Sequence, residues 1–226
     1  MLTPLATDYL RRQTRDTKWY ADEDSTVEYF IGQDVEDTNF LLELQLEYSG
    51  YVLKIKGRER DAFYLTLFSA KDIKNNKPMH YEEAEGLRLF QTEGFGTAQF
   101  GFYITDKGEI VIYGYETRGK IVPVATSVEK LIERQAMADD LARKNIVSNN
   151  FYRVEDGEKM KQYLMRAGTK INDCSDRYDS WYKAKDCYLN LGPMFDGSAH
   201  CLGIYTKEGI VDKKLMETLR GNGMRN

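Results

Sequence analysis

The order of apolar and polar positions divides the chain into a helix, a run of strands, a second helix and a mixed tail. Along Phe40-Leu-Leu-Glu-Leu-Gln-Leu-Glu-Tyr48, the residues Phe40, Leu41, Leu44 and Tyr48 recur at the spacing of one helical face. Asp37 or Thr38 can accept hydrogen bonds from the free N–H groups of the first turn. Ser49-Gly50 ends this helix, because glycine takes the left-handed position past a helix without strain. Segments 50–55 and 62–68 favour strands, and 87–90 forms a shorter one. Residues 71–85 are polar, carry Asn75-Asn76-Lys77-Pro78, and read as a loop with room for one helical turn. Upstream, residues 8–18 read as a short surface helix and Asp22-Glu23-Asp24-Ser25 as an acidic loop.

The strongest local signal lies in the middle. Phe100-Gly-Phe-Tyr-Ile-Thr and Glu109-Ile-Val-Ile-Tyr-Gly-Tyr flank Asp106-Lys107-Gly108, a hairpin in which Gly108 supplies the positive φ of a tight turn. Arg118-Gly119 makes a second turn. Residues 120–125 then form a third antiparallel strand, and Pro123 assigns it to an edge or an end. Thr126-Ser127-Val128-Glu129 matches a capping box with Thr126 at the cap, and Val128, Leu131, Ile132, Ala138 and Leu141 give the helix that follows an apolar face. Helix, strand meander, helix is an α+β order, an antiparallel sheet flanked by helices rather than alternating parallel units. After a polar break at 144–150, residues 155–166 read as a helix stopped by Gly168. Asp176 reads as the cap of a short helix at 178–182, and residues 187–191 and 202–205 as strands. Residues 212–219 close the chain as a helix with Leu215 and Leu219 inward. The expected division is an α+β domain at 1–144 and a C-terminal α+β extension or small lobe at 145–226.

Composition narrows the function. Of 226 residues, 42% are hydrophobic and 30% charged, as in a folded globular protein. The net charge of −4 argues against a nucleic-acid binder, which needs a basic face for phosphates. Arg11, Arg12, Arg15 and Lys18 are interleaved with Asp8, Asp16 and Asp22. A mildly acidic surface suits a basic protein partner. Cys174, Cys187 and Cys201 are odd in number and form no C-x-x-C pair, so they read as reduced thiols. No leader-like start, lipidation motif or apolar run near the roughly 20 residues of a membrane span is present. The expectation is a cytoplasmic protein without a membrane partner.

The chemical motifs favour structural readings. Glu93-Gly94-Phe95-Gly96-Thr97 resembles a phosphate cradle, but a strand follows where a helix N-terminus is required, so it reads as a turn. His80 and His200 lack paired-ligand spacing, and His200 and Cys201, adjacent in a strand, point to opposite faces. Asp173, Asp176 and Asp179 could surround a hard cation, yet caps and turns explain them more simply. No catalytic, cofactor-binding or metal-ligating set emerges. For partner binding, the candidates are two acidic groups, Asp22, Glu23, Asp24 and Glu82, Glu83, Glu85, and the aromatic pair Trp181 and Tyr182. Each has an ordinary alternative as a solvated loop or as core packing; Trp19-Tyr20 is a second such aromatic pair.

Residues 40–141 resemble the SUKH superfamily, α+β domains found as bacterial immunity proteins and as fungal regulators of cell-wall synthesis. Three stretches carry the resemblance: the helix at Phe40 ending in Tyr48-Ser-Gly50, the turn, strand and hairpin from Gly96 to Tyr113, and the helix start Val124-Ala-Thr-Ser-Val-Glu-Lys-Leu-Ile132. The Leu-Pro that precedes the family's first helix is replaced by Val35-Glu-Asp-Thr38, and residues 145–226 have no counterpart. The resemblance implies an immunity protein that binds a toxin domain and blocks it, without a cofactor. A regulatory or scaffold protein of the same fold is the second reading, and an enzyme with a site near Asp176, Trp181 and His200 the third.

Overall fold

The computed structural model describes residues 1–33, 35, 38–55, 63–92, 94–95, 100–115, 117–148, 151–194 and 197–225. The chain is α+β, with helices packed on antiparallel sheets. Pro4 opens helix α1 (Pro4–Arg11), and the Thr3 side chain accepts from the Ala6 N–H. Its Ala6, Tyr9 and Leu10 are buried in the main core, so the expected surface helix is a core helix that starts earlier. The expected acidic loop is also a helix start: Asp22 caps α2 (Glu23–Ile31), accepting from the Ser25 N–H at 2.8 Å. Helix α3 (Asn39–Tyr48) ends as expected at Ser49, with Gly50 at φ +82°. Thr38 stands at its N-cap but makes no capping bond, and Asp37 lies outside the described residues.

Strands β1 (Leu53–Ile55) and β2 (Phe63–Leu65) pair, and β2 pairs with β5 (Gly94–Phe95). Gly94 and Phe95 are therefore strand residues, while Glu93, Gly96 and Thr97 lie outside the described residues. The polar stretch expected to be mostly loop contains α4 (Ala70–Lys74) and strand β3 (Tyr81–Ala84). A five-stranded antiparallel sheet runs β3, β4 (Leu87–Gln91), β6 (Phe100–Thr105), β7 (Ile110–Gly114) and β8 (Val122–Ala125). The β6–β7–β8 meander is the one expected, with Gly108 at φ +77° and the proline strand at the sheet's end. One face, with Phe90, Phe102, Ile104, Ile110, Ile112 and Val122, meets α1 to α4 and the first half of α5 (Val128–Arg143). The other carries Leu89, Tyr103 and Val111, flanked by Ala84, Leu87, Tyr113 and Ile121. The cap of α5 is Ser127, which accepts from the Lys130 N–H, one residue later than the capping-box reading.

A further antiparallel sheet, of seven strands, follows, in addition to the three-stranded β1–β2–β5 sheet and the five-stranded one. Its order is β11 (Thr169–Lys170), β12 (Ser180–Lys183), β13 (Tyr188–Pro193), β14 (His200–Lys207), β10 (Phe151–Val154) and β15 (Met224–Arg225), and β9 (Ile146–Val147) also pairs with β14. Helices α6 (Gly157–Ala167) and α7 (Lys213–Gly221) supply Met160, Leu164 and Leu219 to one face. Trp181 and Tyr205 on the opposite face meet Met137 and Leu141 at the end of α5. Helix α5 therefore serves both halves. The short helix expected at 178–182 is instead strand β12. Its start alternates sides: Trp181 packs toward α5 and Tyr182 toward α6 and α7.

Candidate functional site

The acidic residues Glu82, Glu83 and Glu85 of the β3–β4 hairpin face solvent. A two-residue connection, Glu85 at φ +50° and Gly86 at φ +76°, joins Ala84 to Leu87. Two left-handed residues make the primed turn whose twist matches a hairpin. The register sets Glu82 opposite Leu89 and Glu83 opposite Arg88. Side chains alternate, so Glu82 shares the face of Leu89 and Tyr103, while Glu83 and Tyr81 share that of Phe90. Tyr81 stands 6.0 Å from Phe90 and remains 45% exposed.

Tyr103 anchors the hairpin from beneath. Its ring lies against Gly101, where a Cβ would come within 2.7 Å of it, and edge-on to Tyr113 at 6.0 Å. Its hydroxyl donates to Glu82 Oε1 at 2.7 Å. Burial, then the Glu82 carboxylate, pushes the Tyr103 hydroxyl well above its ordinary range, so it stays a donor. Glu85 Oε1 accepts from the Ile121 N–H at 3.2 Å, just before the opposite outer strand β8. The sheet thus curls until the hairpin tip reaches its far side, and Leu89 and Val111 are buried there among Ala84, Leu87, Tyr113 and Ile121 of the sheet itself.

The other acidic group has a local job. Asp22 caps α2, and Glu23 and Asp24 stand in its first turn, favourable to the helix dipole. The Ser25 N–H, then its hydroxyl, holds the Asp22 carboxyl below its ordinary range, with Lys74 adding to the effect. Asp22, Glu23 and Asp24 are exposed, but nothing beyond helix formation is needed to explain them.

Trp181 and Tyr182 are corrected as contact anchors: they are 1% and 0% exposed, and Trp181 packs against Tyr205 at 4.9 Å. Nor do Asp176, Trp181 and His200 converge. In the β12–β13–β14 register Trp181 points toward α5, whereas His200 is on the α6 side against Gly157. Burial lowers the His200 pKa and keeps the imidazole neutral. Cys174 and Cys187 are pushed up to about 12 and about 11 by burial, which removes their thiolates at neutral pH.

Asp176 instead belongs to a buried junction that sequence reasoning missed. Arg134 Nη1 donates to the Val124 carbonyl at 2.7 Å, and Nη2 lies 2.6 Å from Asp176 Oδ2. Asp176 Oδ2 also accepts from the Thr126 N–H, and Oδ1 from the N–H groups of Tyr178 and Asp179. Asn190 donates to Asp179 Oδ1 at 2.6 Å. Nearby, Glu109 pairs with Arg177 and accepts from the Tyr178 hydroxyl, and Lys130 donates to the Asn172 and Asp173 carbonyls. These bonds fasten the 172–179 loop to the first sheet and α5. Only the clustering of Asp173, Asp176 and Asp179 signalled them. Among the described residues, no group of three or more His, Cys, Asp or Glu is arranged to hold a metal, and no helix is long and apolar enough to cross a membrane.

No family model, curated protein or solved structure matches the chain.

Proposed function

We propose that this chain is a protein-binding module of the immunity type, which neutralises a basic toxic enzyme by covering it. The observation that carries the reading is the β3–β4 hairpin, which presents Glu82, Glu83 and Glu85 to solvent on a braced strand. A surface fixed before encounter loses little conformational entropy on binding, and its charge accelerates and orients association with a cationic partner. The net charge of −4 favours the same class of partner. The resemblance of residues 40–141 to SUKH domains supplies the immunity role.

The test has two stages. Tagged protein is recovered from its native cells, and any protein that wild type retains but the E82K/E83K/E85K variant does not is expressed alone. The expected result is a basic protein that arrests growth by itself and is silenced when this chain is co-expressed. Recovery of the same proteins by both forms, or a partner harmless to cells, overturns the reading.

A further inference from the structure

We infer that the outer edge of β3 is a strand-addition site for an extended, basic segment of a protein partner, a proposal that rests on the binding reading above and specifies its mode. Among the described residues, β3 is an outer strand of the five-stranded sheet, bonded on one side to β4. The Gln91 N–H donates to the His80 carbonyl at 3.1 Å, and the turn closes between Ala84 and Leu87. In an antiparallel ladder this phase turns the backbone of His80, Glu82 and Ala84 toward β4. It turns the N–H and C=O groups of Tyr81 and Glu83 outward. Tyr81, Glu82 and Glu83 are all exposed. The opposite outer strand, β8, is less suited: Pro123 removes a donor from it, and it packs near β13.

Charge decides the occupant. Glu82 and Glu83 project to opposite faces of β3, and Glu85 stands at its end. A strand added alongside meets a carboxylate on each of its own faces. A second copy of this chain would bring like charges into register, which disfavours self-pairing. A strand bearing lysine or arginine meets opposite charges instead, although Arg88, facing Glu83 across the ladder, softens the field on that face. Main-chain bonds would supply affinity, the carboxylates specificity, and the exposed ring of Tyr81 an apolar contact.

The probe is a short capped peptide of alternating lysine and valine, with an alternating glutamate and valine peptide as control, titrated into the full chain and followed by amide resonances. The lysine peptide is expected to shift the Tyr81 and Glu83 amides and slow their hydrogen exchange, more weakly as salt rises, while the control does neither. Two variants sharpen the result. E83P deletes an outward N–H while sparing the bonds to β4, and E83K reverses a charge while leaving the Tyr103–Glu82 bond in place; each is expected to lower affinity at least about tenfold with the circular dichroism unchanged. Shifts confined to other residues, or wild-type affinity in either variant, overturn the proposal. If Tyr81 and Glu83 stay silent while a toxic partner is still recovered from cells, strand addition fails and the binding reading stands. If the peptide docks on β3 but no such partner exists, the binding reading fails alone.

Discussion

At the scale of single residues, the chain is most sensitive where a charge or a ring is enclosed. Arg134 and Asp176 side chains are 9% and 4% exposed, so removing Arg134 leaves the buried Asp176 carboxylate without this counter-ion. R134M should cost about 3–5 kcal/mol of stability, read from urea unfolding. Gly101→Ala should cost about 1–3 kcal/mol, because the new Cβ meets the Tyr103 ring at 2.7 Å and displaces its hydroxyl from Glu82. His200 gives a pH signature. Its folded pKa lies below the ordinary 6.5, so the folded state binds fewer protons than the unfolded one near that pH. Stability from this group is complete above about 6.5 and is lost as pH falls through the lowered value. Wild type should therefore lose more stability than H200Q on acidification below about 6.5, measured by unfolding at a series of pH values. Of these residues, the sequence showed Asp176 but not Arg134. An arginine on an apolar helix face carries no local mark of the loop it will meet, whereas aspartates grouped with serine mark a turn.

At the scale of elements, the β6–β7 hairpin and α5 were legible because their signals are local. Gly108 sits at φ +77° in the turn where Asp-Lys-Gly required it. Gly108→Val should destabilise by about 1–2 kcal/mol, since a β-branched residue is strained in that region, as thermal unfolding would show. Helix starts were harder. Thr126 and Ser127 compete for one cap, and the structure gives the cap to Ser127 because Thr126 is engaged by Asp176 from the other half. Strand β3 was hidden, since Tyr-Glu-Glu-Ala has little β propensity and is held by pairing with β4 and by Tyr103. The short helix assigned around Trp181 failed for a related reason: Asp176 does bind following N–H groups, but as a turn leading into a strand.

At the scale of the whole molecule, the five- and seven-stranded sheets share α5, and the Arg134 junction locks the 172–179 loop onto it. Trp19 is buried in the first half of the chain and Trp181 in the second, so single-tryptophan variants W19F and W181F report each half separately. Their fluorescence transitions in urea should coincide in an otherwise wild-type chain and separate in R134M. The α+β class was readable from the order of elements. The seven-stranded sheet was legible only in its strands at 187–191 and 202–205, because others of its pairings join strands distant in sequence, such as β10 with β14 and β15. Among the candidate binding residues, the structure buries Trp181 and Tyr182, gives Asp22 a capping bond, and leaves the glutamates of the curled sheet's edge facing solvent.

The most direct measurement is calorimetric titration of the recovered partner into wild type and into E82K/E83K/E85K across a range of salt concentrations. Saturable one-to-one binding that weakens with salt and drops sharply in the variant is the predicted result. Equal, salt-independent affinities for the two forms would contradict an acidic strand edge as the seat of recognition.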